Sequence, residues 1–106
     1  PRADRLVMPT PVRLWVNETV PTSGLETIGI HTGYADKKTF YLISDQDGTL
    51  YIQAYDEVAG DFRDIDSVSV SANKLTPYMT RYGARLMRLR FVPVASANVS
   101  AWAVLE

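Results

Sequence analysis

The sequence predicts a single all-β domain, an antiparallel β-sandwich or jelly roll of about seven or eight strands. Short runs rich in β-branched and aromatic residues recur along the 106 residues, at a spacing of roughly 8 to 15 residues. Clusters of Gly, Pro, Asn and Asp separate these runs, as turns require. No segment keeps the 3.6-residue apolar period of an amphipathic helix over several turns.

The chain opens with a polar stretch, PRADRLVMPTP, which contains two closely spaced prolines. Because proline disfavours helix and keeps its neighbours extended, we expect an N-terminal arm over residues 1–11 and the sandwich over residues 12–106. The arm is either a frayed terminus or a clasp that docks on a neighbouring subunit through Leu6, Val7 and Met8.

The first strands follow from simple alternation. Residues 12–17 alternate apolar and other side chains, which predicts a strand with Trp15 on its wetter face. A turn rich in Pro, Ser and Gly occupies residues 21–24, and residues 25–31 form the next predicted strand.

The clearest local signal is the stretch 38–56, KTFYLISDQDGTLYIQAYD. Two β-rich runs flank an Asp-Gln-Asp-Gly turn, in which the Asp side chains bond to nearby backbone and Gly48 is expected to supply a positive φ, so we predict a β-hairpin. The turn resembles the start of an EF-hand calcium loop. However, the position that should carry its final glutamate is Ala54, which excludes that motif.

The second half of the chain repeats the same pattern of strands and turns. We predict a loop over 57–61, a strand over 62–70, a polar connection with Pro77 over 71–80, and strands over 84–94 and 99–105.

Composition excludes several functions. The absence of cysteine removes disulfides, thiolate catalysis and cysteine-bound zinc, and a net charge of −1 gives no field that favours nucleic acid or anionic membranes. No apolar run approaches the roughly 20 residues of a membrane span. The single histidine, His31, ends a predicted strand, and no nucleophile motif is present. We therefore expect a protein that is not an enzyme and needs no cofactor.

Charges of opposite sign are segregated along the chain. Residues 45–66 hold seven acids and one base, whereas residues 74–90 hold five bases and no acid. Ion pairing within the chain, a head-to-tail contact between copies, and nucleic-acid binding are all open explanations. For the contact between copies, the candidate assembly interface consists of Arg81, Arg85, Arg88, Arg90, Asp56, Asp61 and Asp64.

The carboxylates and aromatic rings of the chain indicate two further kinds of site. A loose cation site is one option for the carboxylates Asp56, Glu57, Asp61, Asp64 and Asp66, although we assign no metal ligand. Aromatic rings stack on sugars and also suit protein interfaces or plain core packing. The candidate glycan-binding residues are Trp15, Tyr51 and Tyr55.

The order of motifs in the second half resembles a known class of module. GTLYIQ at 48–53 leads to an aromatic at Phe62, then to YGARLMRLRF at 82–91 and VSAWAVL at 99–105. This order is similar to small β-sandwich modules in virion proteins of tailed phages and other prokaryotic viruses. The two closing strands also resemble the end of discoidin-like jelly rolls, which bind glycans or lipids, although the cysteines common in that family are missing here.

The resemblance implies a capsid-decoration, spike or tail module that usually forms oligomers, and it transfers no active-site residue. We therefore expect a non-enzymatic viral structural or accessory protein in the virion. Its partners would be copies of itself, in a symmetric homo-oligomer such as a trimer, and other virion proteins. The alternative is a carbohydrate-binding β-sandwich module that attaches to a host-surface glycan. Neither hypothesis involves nucleic acid or a membrane span.

Overall fold

The structure is a computed structural model that describes residues 10–106. This part contains nine strands and no helix, hence no helix that could cross a membrane. The strands are β1 (Thr10–Val20), β2 (Leu25–Glu26), β3 (Ile30–His31), β4 (Lys38–Ser44), β5 (Gly48–Asp56), β6 (Asp61–Val70), β7 (Thr76–Thr80), β8 (Leu86–Pro93) and β9 (Ala97–Leu105). Of the predicted arm, residues 1–9 lie outside the described part, while Thr10 and Pro11 belong to β1.

The strands form two antiparallel sheets. The first has the order β1-β9-β4-β7 and the second the order β2-β8-β5-β6, with β3 also paired to β8. Because β2 and β3 follow one another along β8, they act as one strand interrupted at residues 27–29. Counting them as one strand gives eight strands in jelly-roll order, with each sheet drawing strands from both halves of the chain. The predicted all-β sandwich is therefore confirmed.

The core lies between the two sheets and follows from alternation. Along β9, every second residue is buried, and three of the buried residues are the alanines Ala97, Ala101 and Ala103. These small side chains leave room for the larger apolar residues that project inward from β4, β5 and β8. That set comprises Phe40, Leu42, Leu50, Ile52, Met87, Leu89 and Phe91.

The predicted hairpin over 38–56 is wrong. β4 pairs with β7 and β9, whereas β5 pairs with β6 and β8, so the Asp-Gln-Asp-Gly turn carries the chain from one sheet to the other. The two acids of the turn tie it to neighbouring loops instead. Asp45 Oδ1 accepts the backbone N–H of Asn98 at 2.9 Å, and Asp47 Oδ1 accepts that of Ala72 at 2.7 Å.

Gly48 is needed for space rather than for a positive φ. A Cβ at this position would lie 2.6 Å from the carbonyl oxygen of Val92 and 2.7 Å from Cζ of Phe91. The hairpin of this region is β5–β6 instead, closed through residues 57–60 with Gly60 at φ 71°.

The facing predicted for the first strand holds for Val12 and Leu14, which pack against the core, and is wrong for Trp15 and Val16. The register of β1 against β9 shifts on both sides of Trp15, which turns the indole inward, so that it is only 7% exposed while Val16 is 63% exposed. A β-bulge adds a residue to one strand and so reverses the alternation beyond it.

The polar segment 71–80, predicted as a connection, contains the edge strand β7. This strand pairs with β4 on one side only. Pro77 is tolerated there because an edge strand leaves alternate backbone groups outside the ladder, so a missing N–H breaks no inter-strand bond.

Candidate binding face on the second sheet

The outer surface of the second sheet gathers most of the residues that the sequence singled out. Since Leu50 and Ile52 point into the core, Tyr51 and its alternate neighbours on β5 point outward. The register places Tyr51 opposite Arg90 and Gln53 opposite Arg88. Arginines of β8 and aromatic residues of β5 therefore lie side by side on one surface.

Three guanidinium groups lie against three aromatic rings on this surface. Cζ of Arg90 is 5.6 Å from the ring centre of Tyr51, Cζ of Arg85 is 5.4 Å from that of Tyr55, and Cζ of Arg88 is 4.2 Å from that of Phe62. Contacts of this kind at exposed sites contribute about 0.5–1 kcal/mol each. We call this surface the arginine–aromatic face, made of Tyr51, Tyr55, Phe62, Arg85, Arg88 and Arg90.

Phe62 occupies the middle of the face. Its ring meets that of Tyr55 edge to face, with centroids 5.3 Å apart and planes at 72°. The register of the β5–β6 hairpin sets these two residues directly opposite each other. The ring also reaches Gly29, where an added Cβ would lie 2.8 Å from Cζ of Phe62. A glycine at 29 therefore leaves the space in which the ring lies.

Each arginine of the face is also held by a polar acceptor. Arg85 donates to both carboxylate oxygens of Glu57, at 2.8 and 3.2 Å, and Arg90 Nε donates to Glu26 at 3.2 Å. Hydrogen bonding to Glu57 raises the pKa of Arg85 above its ordinary value. Both arginines are thus fixed in position between a ring and a carboxylate.

The central arginine is held through a relay. Arg88 Nε donates to Oε1 of Gln53 at 2.6 Å, and Nε2 of Gln53 donates to Oδ1 of Asp64 at 2.7 Å. The Gln53 side chain is covered by its partners and only 7% of the residue is exposed. Gln53 lies on β5, between β8 and β6, and its amide connects the guanidinium of Arg88 on β8 with the carboxylate of Asp64 on β6.

The remaining residues of the predicted interface have other positions. Arg81 follows β7 in the first sheet and pairs with Asp36. Asp56 closes the β5–β6 turn, because its Oδ1 accepts the backbone N–H groups of Val58 and Ala59. The bonds from Ala59 and Val58 lower the pKa of the Asp56 carboxyl.

Asp56 also pairs with Arg63 at 3.3 Å, and Asp61 at the start of β6 accepts the backbone N–H of Phe62. Charges of opposite sign are therefore paired extensively within the chain. Exposed pairs of this kind are worth about 0–1 kcal/mol each, so they position side chains more than they stabilise the fold.

The predicted glycan-binding residues do not form one platform. Tyr51 and Tyr55 lie on the arginine–aromatic face, where each ring is in contact with a guanidinium. Trp15 is buried in the first sheet. Within residues 10–106, no three His, Asp or Glu side chains converge as metal ligands would, and His31 is exposed on β3.

Sequence reasoning missed the partners that organise the face, which are Glu26, Gln53, Glu57 and Phe62. The signal that could have identified Phe62 and Glu57 is the hairpin between β5 and β6. Its register sets Phe62 against Tyr55, and Glu57 lies in its turn. Glu26 comes from a separate strand, so only the sheet order reveals it.

Comparison with solved structures shows the same fold in several bacterial and prophage proteins. The PBSX exported protein XepA superposes with a TM-score of 0.72 and 18% identity over 91% of this chain, which spans only 36% of the length of XepA. The SPBc2 prophage-derived protein YomS superposes with a TM-score of 0.61 and 14% sequence identity. The match covers 95% of this chain and 97% of YomS. A protein of the Bacillus endospore appendages, a family of disulfide-linked pili, superposes with a TM-score of 0.62 and 12% sequence identity. The match covers 92% of this chain and 82% of the appendage protein.

No family model and no curated protein matches the sequence. At these identities the likeness concerns the fold, and it agrees with the resemblance to β-sandwich modules of prokaryotic viruses.

Proposed function

We propose that this chain is a non-enzymatic structural module of a prokaryotic virus, of the capsid-decoration, spike or tail kind. It acts by binding protein subunits, copies of itself included, through the arginine–aromatic face. The observation that supports this most directly is the row of three arginine–ring pairs across one sheet surface. Arginine and aromatic side chains are enriched among the residues that dominate binding energy at protein interfaces.

The face is organised before any partner arrives. Each guanidinium is held between a ring and an oxygen acceptor, so little side-chain entropy is left to lose on association. Its charges are also paired already, with Glu57 and Glu26 or through Gln53, so covering the face leaves no arginine without an acceptor.

The ion pairs within the chain argue against a contact between copies that depends on opposite charges. Since Arg85 and Arg90 are paired within their own chain, the proposed interface depends on ring contact and shape more than on opposite net charges. We therefore expect assembly to respond weakly to salt, because screening acts mainly on unpaired exposed charges.

The fold shared with YomS and with the appendage protein supports a place in an extracellular or virion assembly. Those proteins are described as prophage-derived and as part of pili, respectively, so the same fold occurs in both settings. For this chain, the location in the virion and the contact with other virion proteins are part of the proposal.

Light scattering on the purified chain, with and without a substitution at the centre of the face, tests the proposal. We expect the wild type to form an oligomer and Arg88→Ala to weaken its association about tenfold or more, as truncation of a central interface residue does. The control is Arg63→Ala, which removes an exposed, paired arginine from β6 outside the face.

Circular dichroism would verify that both variants remain folded. A wild type that stays monomeric at every concentration would contradict self-assembly. An Arg88→Ala variant that assembles like the wild type would place the interface elsewhere.

A further inference from the structure

The outer surface of the first sheet carries a different arrangement, which the proposed function does not use. The strand register sets Arg13 of β1 opposite Trp102 of β9, Trp102 opposite Tyr41 of β4, and Tyr41 opposite Pro77 of β7. The rings of Tyr41 and Trp102 stack, with centroids 5.3 Å apart and planes at 19°. A row of one cation and two stacked rings therefore crosses three strands.

A groove lies at the β1 end of this row. The register shifts before and after Trp15 interrupt the pairing of β1 with β9, and a cavity of about 470 Å³ occupies this region. Its size is within the range of small-molecule sites. Its lining includes Pro11, Arg13, Val16, Ser100 and Trp102, together with Trp15, whose indole is buried toward the core.

Arg13 differs from the other arginines of the described residues. Four of those have a carboxylate within 4 Å, and Arg88 is bonded to Gln53. Within residues 10–106, Arg13 has neither a carboxylate partner nor a cation–π contact with a ring. Arg13 is an exposed residue and lines the groove together with Trp102.

We propose that this groove binds an acidic saccharide. The apolar face of a sugar ring would pack on Trp102, whose orientation is fixed by the stack with Tyr41. The carboxylate of the sugar would receive hydrogen bonds from Arg13, which offers a planar fork that matches a carboxylate. The hydroxyl of Ser100 already accepts the backbone N–H of Asn17, and its own proton remains available for a sugar oxygen.

A saccharide fits this place better than an extended peptide. A peptide would bind an edge such as β1 by adding a strand, which needs an unbroken row of backbone groups. The two register shifts of β1 and the positive φ of Asn17, 51°, break that row. The ligand must therefore be recognised by side chains, and those present are an indole, a guanidinium and a hydroxyl.

Titration calorimetry and tryptophan fluorescence with two oligosaccharides of equal length test the site. We expect hexagalacturonate to bind with a saturable signal and neutral cellohexaose to bind more weakly. Arg13→Gln should weaken binding of hexagalacturonate about tenfold or more, since a charge-assisted hydrogen bond is lost, and should leave cellohexaose unaffected.

The aromatic contact is tested at Trp102. Trp102→Ala should abolish binding, and Trp102→Phe, which keeps a ring against Tyr41, should retain part of it. If Trp102→Ala fails to fold, the Phe variant and Arg13→Gln still decide the question. The matched control is Arg63→Gln, which removes an exposed arginine from the other sheet and should bind like the wild type.

Four results would overturn the inference. They are no saturable binding of hexagalacturonate by the wild type, equal affinity for both oligosaccharides, an Arg13→Gln variant that binds like the wild type, and equal weakening by Arg63→Gln. A fifth result would also overturn it, namely poly-glutamate that binds with the same affinity and the same dependence on Trp102, because the groove would then recognise carboxylates without requiring a sugar.

Discussion

Gly48 shows how one residue without a side chain allows two neighbouring strands of a sheet, β5 and β8, to pack closely. It follows the turn between the sheets and begins β5, directly beneath the ring of Phe91 and the backbone of Val92. Three heavy atoms lie within 2.8 Å of the place that a Cβ would take. Since one of these atoms is a backbone oxygen, the strand itself would have to move to admit a side chain.

We therefore expect Gly48→Ala to lower the free energy of unfolding by about 1–3 kcal/mol, the usual effect of overpacking a filled core. Urea denaturation would measure it. The matched control is Gly83→Ala, because a Cβ at 83 meets nothing within 4 Å and should be neutral or slightly stabilising. Equal stability of the two variants would refute the steric explanation.

Among the elements, the β5–β6 hairpin links the fold to the proposed interface. Its turn is closed by the Asp56 carboxylate and by a bond from the Gly60 N–H to the carbonyl of Asp56 at 2.8 Å. That closure sets the register, and the register sets Tyr55 against Phe62. A slip of β6 by one residue would turn Phe62 to the other face of the sheet, away from Tyr55 and from Arg88.

Gly60 provides the test of this element, since its φ of 71° lies in the left-handed region. Gly60→Ala should destabilise the chain by about 1–2 kcal/mol, the usual penalty for placing a Cβ in that conformation. Gly60→Asn should cost less, because asparagine adopts it more readily. Thermal unfolding followed by circular dichroism distinguishes them, and an Asn variant that is less stable than the Ala variant would contradict the backbone argument.

At the scale of the whole molecule, a side-chain hydrogen bond joins the two sheets at the edge where β6 and β7 lie. Tyr78 of β7, in the first sheet, donates its hydroxyl to Oδ2 of Asp66 of β6, in the second sheet, at 2.9 Å. Burial and then the Asp66 carboxylate raise the pKa of Tyr78 from 10.0 to about 12. The folded chain thus holds this proton more tightly than the unfolded chain does.

The sign of the resulting pH dependence is fixed by that difference. The contribution of Tyr78 to stability is complete below pH 10 and is lost as the pH rises from 10 to about 12, because the unfolded chain then releases the proton first. A near-ultraviolet titration of the wild type should show a tyrosine ionisation near pH 12. The Tyr78→Phe variant should lack this ionisation. Tyr34→Phe, at an exposed ring, should retain it, and a titration unchanged by Tyr78→Phe would refute the assignment.

The fold class was predictable because alternation is local. The pattern in β8 and β9 identifies inward and outward residues without knowledge of their partners. Pairing is not local, and two β-rich runs around an Asp-Gln-Asp-Gly turn look alike whether they form a hairpin or change sheets. The inward turn of Trp15 was hidden for a related reason, since the bulges that cause it are defined against β9.

The candidate site was predictable in part. Alternation places Arg88 and Arg90 on one side of β8, and Tyr51 and Tyr55 on one side of β5, but it cannot say that these sides face the same way. That follows from the pairing of β5 with β8. The relay through Gln53 was beyond reach, because a glutamine carries no charge or ring that marks it in the sequence.

The outermost residues of β1 and β9 are paired, which affects how this fold can be joined to another protein. Thr10 lies opposite Leu105, so the polypeptide enters the sandwich beside the point where it leaves. A fold of this kind can be inserted into a surface loop of a larger protein with little disturbance to its host. The jelly roll of this chain therefore has the geometry that insertion between two residues of another domain requires, with both ends of the inserted segment at one place.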